Sequence, residues 1–285
     1  MDGFSGFQSQ TFRTDDGVSI HYLHKGSGKP LILLPGWSGD ANVYYRNALA
    51  LSEKYSIYVF EHRGHGNSET PKHGYRISRL AKDAYEFQQY LGFQKANWLG
   101  HSMGCAVLWS MIDLFGQEHI DRLILVDEAP FLYGNPRYTE QELRLCGAQR
   151  LDLWQFCNAC DQSWEEGMAV FNRVFPTYEF DENEDTKRLQ ESFTDMPPKS
   201  HRFLSKLLMD HITQDWRDII PRITVETMYI SGDASFATTP ECANWIAQSI
   251  KGCKWVRVNG KGLGTHHMMQ SCPDIFNKSI VEFLE

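Results

Sequence analysis

Apolar residues gather in short unbroken runs along the first 130 residues of this chain and again after residue 224. Pro30–Leu34 and Ser56–Phe60 are such runs, and each predicts a short buried strand. Residues 11–21 read as a strand, a turn at Asp15-Asp16-Gly17 and a second strand. Residues 77–91 carry apolar positions near helical spacing. A strand at 96–99, a helix beginning at Cys105-Ala106-Val107-Leu108-Trp109 and a strand at 123–126 follow. Strands that alternate with helices predict an α/β protein, with a mostly parallel sheet covered by helices on both faces. Near Tyr133 the character changes. Residues 134–215 are rich in Trp, Phe, Met and acids and lack buried strand-type runs. They include Trp154, Phe156, Trp164, Phe171, Phe175, Tyr178 and Phe180, and predict an inserted helical cap with loops around Pro176 and Pro197-Pro198. The strand pattern resumes at 224–231 and at Lys254–Val258, and an amphipathic helix, Pro273–Leu284, closes the chain. The expected organisation is a core of 1–133 and 216–285 interrupted by the cap. No internal repeat or low-complexity tract is visible.

The most informative stretch is Gly100-His101-Ser102-Met103-Gly104, between the strand at 96–99 and the following helix. A G-x-S-x-G motif in strand–turn–helix context is a nucleophile elbow. Serine is a poor nucleophile unless it is lifted clear of the sheet, beside a base, with amides aimed at the developing oxyanion. The flanking glycines let the turn close and neighbouring elements approach. On such a fold the partners follow in the order acid, then histidine. His266 and His267 stand in the late loop Gly262-Leu263-Gly264-Thr265-His266-His267, and His266 is the expected base. The acid has two candidate places: Asp127-Glu128 after the strand at 123–126, and Asp233 in Gly232-Asp233-Ala234-Ser235.

These motifs identify the chain as resembling the α/β-hydrolase superfamily. Leu34-Pro35-Gly36-Trp37, His62-Arg63-Gly64-His65-Gly66-Asn67-Ser68, the elbow and the terminal histidine loop carry the resemblance over nearly the whole length. It implies an α/β-hydrolase fold. In most superfamily members the acid is the third residue after a glycine placed like Gly232; here that residue is Ser235. A smaller group, the cofactor-free hydroxyquinolone 2,4-dioxygenases, places its acid earlier, as at Asp127, and has Pro-Gly-Trp and Thr-His motifs similar to Pro35-Gly36-Trp37 and Thr265-His266. The resemblance therefore implies Asp127 as the acid, with Asp233 and Glu128 in reserve. It departs at Met103, where the dioxygenase pattern has histidine.

The expected chemistry is acyl transfer on an ester or lactone of an apolar or aromatic small molecule, without cofactor or metal. Ser102 attacks the carbonyl, His266 takes its proton and Asp127 orients His266. The amides of Trp37 and Met103 form the oxyanion hole, each worth about 3 kcal/mol. Trp37, His101, Trp154, Phe156 and Trp164 are expected at the substrate, with His211 and Met209 as further roof candidates. His62 and His65 are expected to stabilise their loop, and Cys105 to pack as a small buried residue. Two alternatives stand beside the hydrolase. One is a cofactor-independent dioxygenase that uses the His–Asp pair to deprotonate a hydroxy-heteroaromatic ring. The other is a non-catalytic ligand-binding protein on the same fold.

Composition narrows the classes further. The 285 residues carry a net charge of −8 with acids and bases mixed, so no nucleic-acid partner is expected. No signal peptide is visible at Met1-Asp2-Gly3-Phe4-Ser5, and no run approaches the roughly 20 apolar residues of a membrane span. Seven cysteines are scattered; Cys157 and Cys160 have C-x-x-C form but no second pair completes a zinc site. A cytoplasmic protein with reduced thiols is the expectation.

Overall fold

The computed structural model describes residues 3–148, 152–174, 198–260 and 263–285. Its centre is an eight-stranded sheet in the order β1-β2-β4-β3-β5-β6-β7-β8. The strands are β1 (Gln8–Arg13), β2 (Ser19–Lys25), β3 (Pro30–Leu34), β4 (Ser56–Phe60), β5 (Ala96–His101), β6 (Ile120–Val126), β7 (Thr227–Gly232) and β8 (Lys254–Val258). β2 pairs antiparallel with β1 and β4; every other pairing is parallel.

The apolar runs exist because the sheet is buried on both faces. In β3, Ile32 and Leu34 enter one hydrophobic core while Leu31 and Leu33 enter the other. β4 divides likewise, Tyr58 and Phe60 against Ile57 and Val59. On the first face lie α1 (Ile77–Tyr90), α2 (Met103–Phe115) and α6 (Pro240–Ser249). α1 contributes Ile77, Leu80, Ala81, Ala84 and Phe87, a stripe at helical spacing. α7 (Pro273–Leu284) covers the second face through Phe276, Ile280, Phe283 and Leu284.

Several strand ends differ from expectation. β1 begins at Gln8, three residues before the predicted start, and β2 runs on to Lys25. β6 begins at Ile120 and β7 at Thr227.

Between β6 and β7 the described chain is helical: the turn Glu140–Leu143, α3 (Leu153–Gln162), α4 (Trp164–Val174) and α5 (Pro198–Ile212). Leu153, Phe156, Cys157, Cys160, Val170, Leu208 and Ile212 form a third, smaller core. α5 joins the layers, since its Leu204 and Leu207 belong to the first core. Pro198, expected in a loop, instead opens α5, a position that suits a residue with no amide hydrogen to donate. Phe175, Pro176, Tyr178, Phe180 and Pro197 lie outside the described residues, as does Gly262. Among the described residues no helix is long and apolar enough to cross a membrane.

Candidate active site

The parallel strands β3, β5, β6 and β7 end side by side, and the candidate residues stand at their carboxyl ends. Ser102 links β5 to α2 with φ 53° and ψ −128°, a conformation costly for any residue with a Cβ. Its amide donates to the Val126 carbonyl at 2.9 Å, and its carbonyl accepts from the Cys105 amide at 2.7 Å. Both neighbours, His101 and Met103, are buried, while Ser102 is half-buried. The glycines make this turn possible. A Cβ on Gly100 would lie 2.6 Å from the Gly104 carbonyl oxygen, and one on Gly104 would lie 2.6 Å from the Leu34 carbonyl oxygen.

β3 leads into Pro35-Gly36-Trp37-Ser38. A Cβ on Gly36 would sit 2.8 Å from the Ser102 Cβ, so this backbone lies directly against the serine. Met103 is the first residue of α2, and its amide has no acceptor within the helix. Ser38 also has positive φ, 59°. His65 holds it: Nε2 accepts from the Ser38 amide at 3.1 Å while Nδ1–H donates to the Arg63 carbonyl at 3.0 Å. His62 Nε2–H donates to the Pro35 carbonyl at 3.2 Å. Burial pushes His65 down to about 4 and His62 down to about 3, so both stay neutral and serve as fixed donors and acceptors. Cys105 is buried in α2, its thiol 3.0 Å from the Gly100 carbonyl.

On the other side, β6 ends at Val126, and Asp127 turns with φ 52° while its amide donates to the Ile230 carbonyl at 3.0 Å. Its carboxylate is fully buried. His266 Nδ1–H donates to Oδ2 at 2.6 Å. Thr238 Oγ1 donates to Oδ1 at 2.7 Å, and Ser235 Oγ donates to Oδ2. With Nδ1 committed to the carboxylate, the imidazole keeps its lone pair on Nε2, the tautomer a general base requires. The His266 loop is seated by glycine contact. A Cβ on Gly232 would fall 2.1 Å from the Gly264 carbonyl oxygen, which also accepts the Ala234 amide at 2.8 Å. His101 adds a second tie, Nε2–H to the His266 carbonyl at 2.8 Å. Burial, then the neighbouring His266 and His267, hold His101 well below the usual imidazole range, so it acts as a neutral donor.

The reserve candidates are engaged elsewhere. Glu128 is buried, with Oε1 accepting the Ala129 amide at 2.8 Å and Oε2 facing His211 Nε2 at 3.4 Å. Asp233 lies on the surface and pairs with Arg257 at 2.6 Å. His267 is buried alongside His101 and His266, and burial pushes it down to about 3.

An aromatic chain runs from Trp37 to the His266 ring. Trp37 meets Phe156 edge-on at 5.6 Å and Trp164 at 5.7 Å, and its Nε1–H donates to the Leu204 carbonyl at 2.9 Å. Phe156 leads to Phe171, Phe171 to Phe236, and Phe236 to the His266 ring at 4.6 Å. Met209 packs against the same small core. Trp154 is not part of this chain. Leu153, Phe156, Cys157 and Cys160 occupy the inner face of α3, which turns Trp154 outward; it is 40 % exposed and meets Tyr133 edge-on. There it lines a separate surface cavity of about 530 Å³ with Leu143 and Arg144.

Sequence reasoning missed Phe236, Ser235 and Thr238. In sequence Ser235 reads only as the place where the usual acid is lacking, although its hydroxyl lies against Asp127. Phe236 and Thr238 sit in an aperiodic loop that gives no pattern to read.

Comparison with known proteins agrees with this architecture. The model of the alpha/beta hydrolase fold family matches residues 29–262. Soluble epoxide hydrolase of Corynebacterium sp. is 33% identical over 118 residues, which are 41% of this chain and 41% of that protein. Among solved structures, the esterase EaEST from Exiguobacterium antarcticum superposes with a TM-score of 0.82 at 22% identity, covering 97% of this chain and 99% of that one. The enol-lactonase from Burkholderia xenovorans LB400 gives 0.76 at 24% identity, covering 96% and 99%. The relatives by sequence and by structure carry the names of enzymes, and this chain belongs to the alpha/beta hydrolase fold family.

Proposed function

We propose that the protein is a serine hydrolase that cleaves an ester or lactone of an apolar or aromatic small molecule. The observation that carries this reading is the pairing of His266 Nδ1 with buried Asp127 at 2.6 Å, with the His266 carbonyl bonded to His101, the residue before a serine held at φ 53° on the elbow. In this reading His266 Nε2 takes the Ser102 proton as Oγ attacks the carbonyl. The amides of Trp37 and Met103 receive the oxyanion, and the imidazolium, stabilised by Asp127, then protonates the leaving group. Water activated by His266 releases the acyl group. The described helices between β6 and β7 serve as the cap expected over 134–215, and Trp37, Phe156, Trp164, Phe171 and Phe236 form an aromatic wall that reaches the His266 ring. Such a wall favours apolar and aromatic substrates. No cofactor is required. The esterase and enol-lactonase names among similar structures support the substrate class.

A cofactor-independent dioxygenase uses the same His266–Asp127 pair, and the ring of Phe236 against His266 suits its flat substrate. Two assays separate the readings. A hydrolase turns over p-nitrophenyl acetate and loses that activity in Ser102→Ala. A dioxygenase consumes O₂ with a hydroxyquinolone, keeps most of that activity in Ser102→Ala and loses it in His266→Ala. Tight ligand binding with neither activity would mark a binding protein.

A further inference from the structure

His266 stands in a loop that closes on itself. Ser271 Oγ donates to the Leu263 carbonyl at 2.6 Å, and Thr265 Oγ1 lies 3.2 Å from the same Oγ. The short helix Met268–Ser271 starts directly after the histidines, with the Gln270 amide donating to the His267 carbonyl at 2.8 Å. This closed unit is fastened to Asp127 after β6, to His101 at the end of β5 and, through the Ala234 amide, to the turn after β7. A fourth attachment runs to the loop after β3. Gln270 is buried, and its Nε2 donates to the Asn42 carbonyl at 2.9 Å and to the Val43 carbonyl. Both carbonyls belong to the single turn Ala41–Tyr44, which continues the loop whose Gly36 backs Ser102. Beside it, Arg46 donates to the Gln270 carbonyl and Asn47 Nδ2 to the Met269 carbonyl, each at 3.0 Å; of the three side chains, Gln270 is the one that grips the turn itself. From the other end the Ala41 amide donates to buried Glu61 Oε1 at 3.1 Å, while Glu61 Oε2 accepts from His21 Nδ1–H and from the Asn67 amide, each at 2.7 Å.

We infer that Gln270 is a positioning residue: by gripping two successive carbonyls of the 41–44 turn it sets the place of His266 relative to the loop that backs Ser102. A primary amide carries two N–H donors, which match two adjacent carbonyls; a methionine of similar length supplies none. Buried carbonyls that lose their donor are costly, so the variant loosens the contact instead of replacing it. Transfer of a proton between a hydroxyl and an imidazole is sensitive to placement, and a shift of about 1 Å can cost about 100-fold in rate. Glu61 holds the same turn from the opposite side, so the two side chains act on one junction and their effects are coupled.

This inference rests on the hydrolase reading for its effect on turnover, but the tie itself is read without turnover. In the parent, the two Nε2 protons of Gln270 are expected as separate resonances that exchange with solvent about 100-fold more slowly than those of a surface glutamine. Exchange as fast as at the surface overturns the inference, and this readout needs no variant. In Gln270→Met, backbone hydrogen exchange is expected to speed up about tenfold or more in both 36–47 and 263–271, while β5 and β6 keep the parent rates. Parent rates in 36–47 of the folded variant overturn the inference, whatever turnover does. With p-nitrophenyl acetate, Gln270→Met should lower kcat about 10- to 100-fold and leave KM within about threefold. A lower melting temperature with unchanged kcat would mark a purely structural residue and overturn the positioning role. Glu61→Gln should also lower kcat, and the double variant should lose less than the product of the two single losses. Losses that multiply would show two independent ties and overturn the shared junction. The expected exchange changes in a protein whose parent form hydrolyses no ester would overturn the hydrolase reading and leave the tie standing.

Discussion

The two sides of the site are built by different means. On the Ser102 side, backbone lies against backbone. Gly36, Gly100 and Gly104 stand where a Cβ would come within 2.8 Å of a neighbour, and the serine's strained turn follows from those contacts. On the acid side, side-chain hydrogen bonds do the holding. Asp127 is fixed by His266, Thr238 and Ser235, drawn from two loops far apart in sequence. Backbone contact tolerates one residue type, so the Ser102 side leaves a recognisable motif. A carboxylate held by side-chain hydrogen bonds needs no fixed residues around it in sequence, so the acid side leaves Asp127, Glu128 and Asp233 as alternatives.

The largest effect that would sharpen this contrast comes from the chemistry itself. Ser102→Ala is expected to abolish ester hydrolysis, a loss of about 10,000-fold or more, with an unchanged melting temperature. Residual hydrolysis near the parent level would place the nucleophile elsewhere. Asp127→Asn should reduce kcat by about 1,000- to 10,000-fold while the elbow stays intact, since the amide supports the wrong tautomer. The glycine side should break differently. Gly104→Ala forces a methyl within 2.6 Å of the Leu34 carbonyl and should cost about 1–3 kcal/mol in denaturant unfolding, with loss of activity as a consequence of displacement. If Gly104→Ala left stability untouched, the close-contact account of the elbow would be wrong.

The effect that is smallest at neutral pH concerns the loop under Trp37. His65 is held neutral, pushed by burial down to about 4 from a usual 6.5. The unfolded chain therefore binds a proton that the folded protein refuses. Stability is complete above pH 6.5 and falls as the pH drops from there toward 4, by about 3 kcal/mol for this one group. His65→Gln should flatten that part of the stability profile measured by urea unfolding across this range. An equally steep profile would assign the dependence to other groups, with the buried His62 and His267 the first to examine.

What the sequence disclosed follows the same division. Pro30–Leu34, Ser56–Phe60, Lys254–Val258 and Pro273–Leu284 were legible to the residue, because each carries apolar positions that pack on a core. β1 was misjudged because Gln8-Ser9-Gln10-Thr11 is exposed; only Phe12 of that strand is buried, so its pairing with β2 leaves little hydrophobic signature. The start of β6 was missed because Asp121 and Arg122 interrupt its apolar run. At the site, Ser102 and the histidine loop could be read directly. The donors to Asp127 could not, since Ser235 and Thr238 are common loop residues whose meaning lies in what they face. Trp154 shows the converse limit: an aromatic residue in a helical segment points inward or outward according to one turn of helix.

The account turns on a hydroxyl at 102 activated by the imidazole at 266. Mass mapping after treatment with a fluorophosphonate tests this most directly. A single adduct on Ser102 is predicted, formed rapidly in the parent and about 1,000-fold or more slowly in His266→Ala. An unmodified Ser102, or an adduct that forms equally fast without His266, would contradict it.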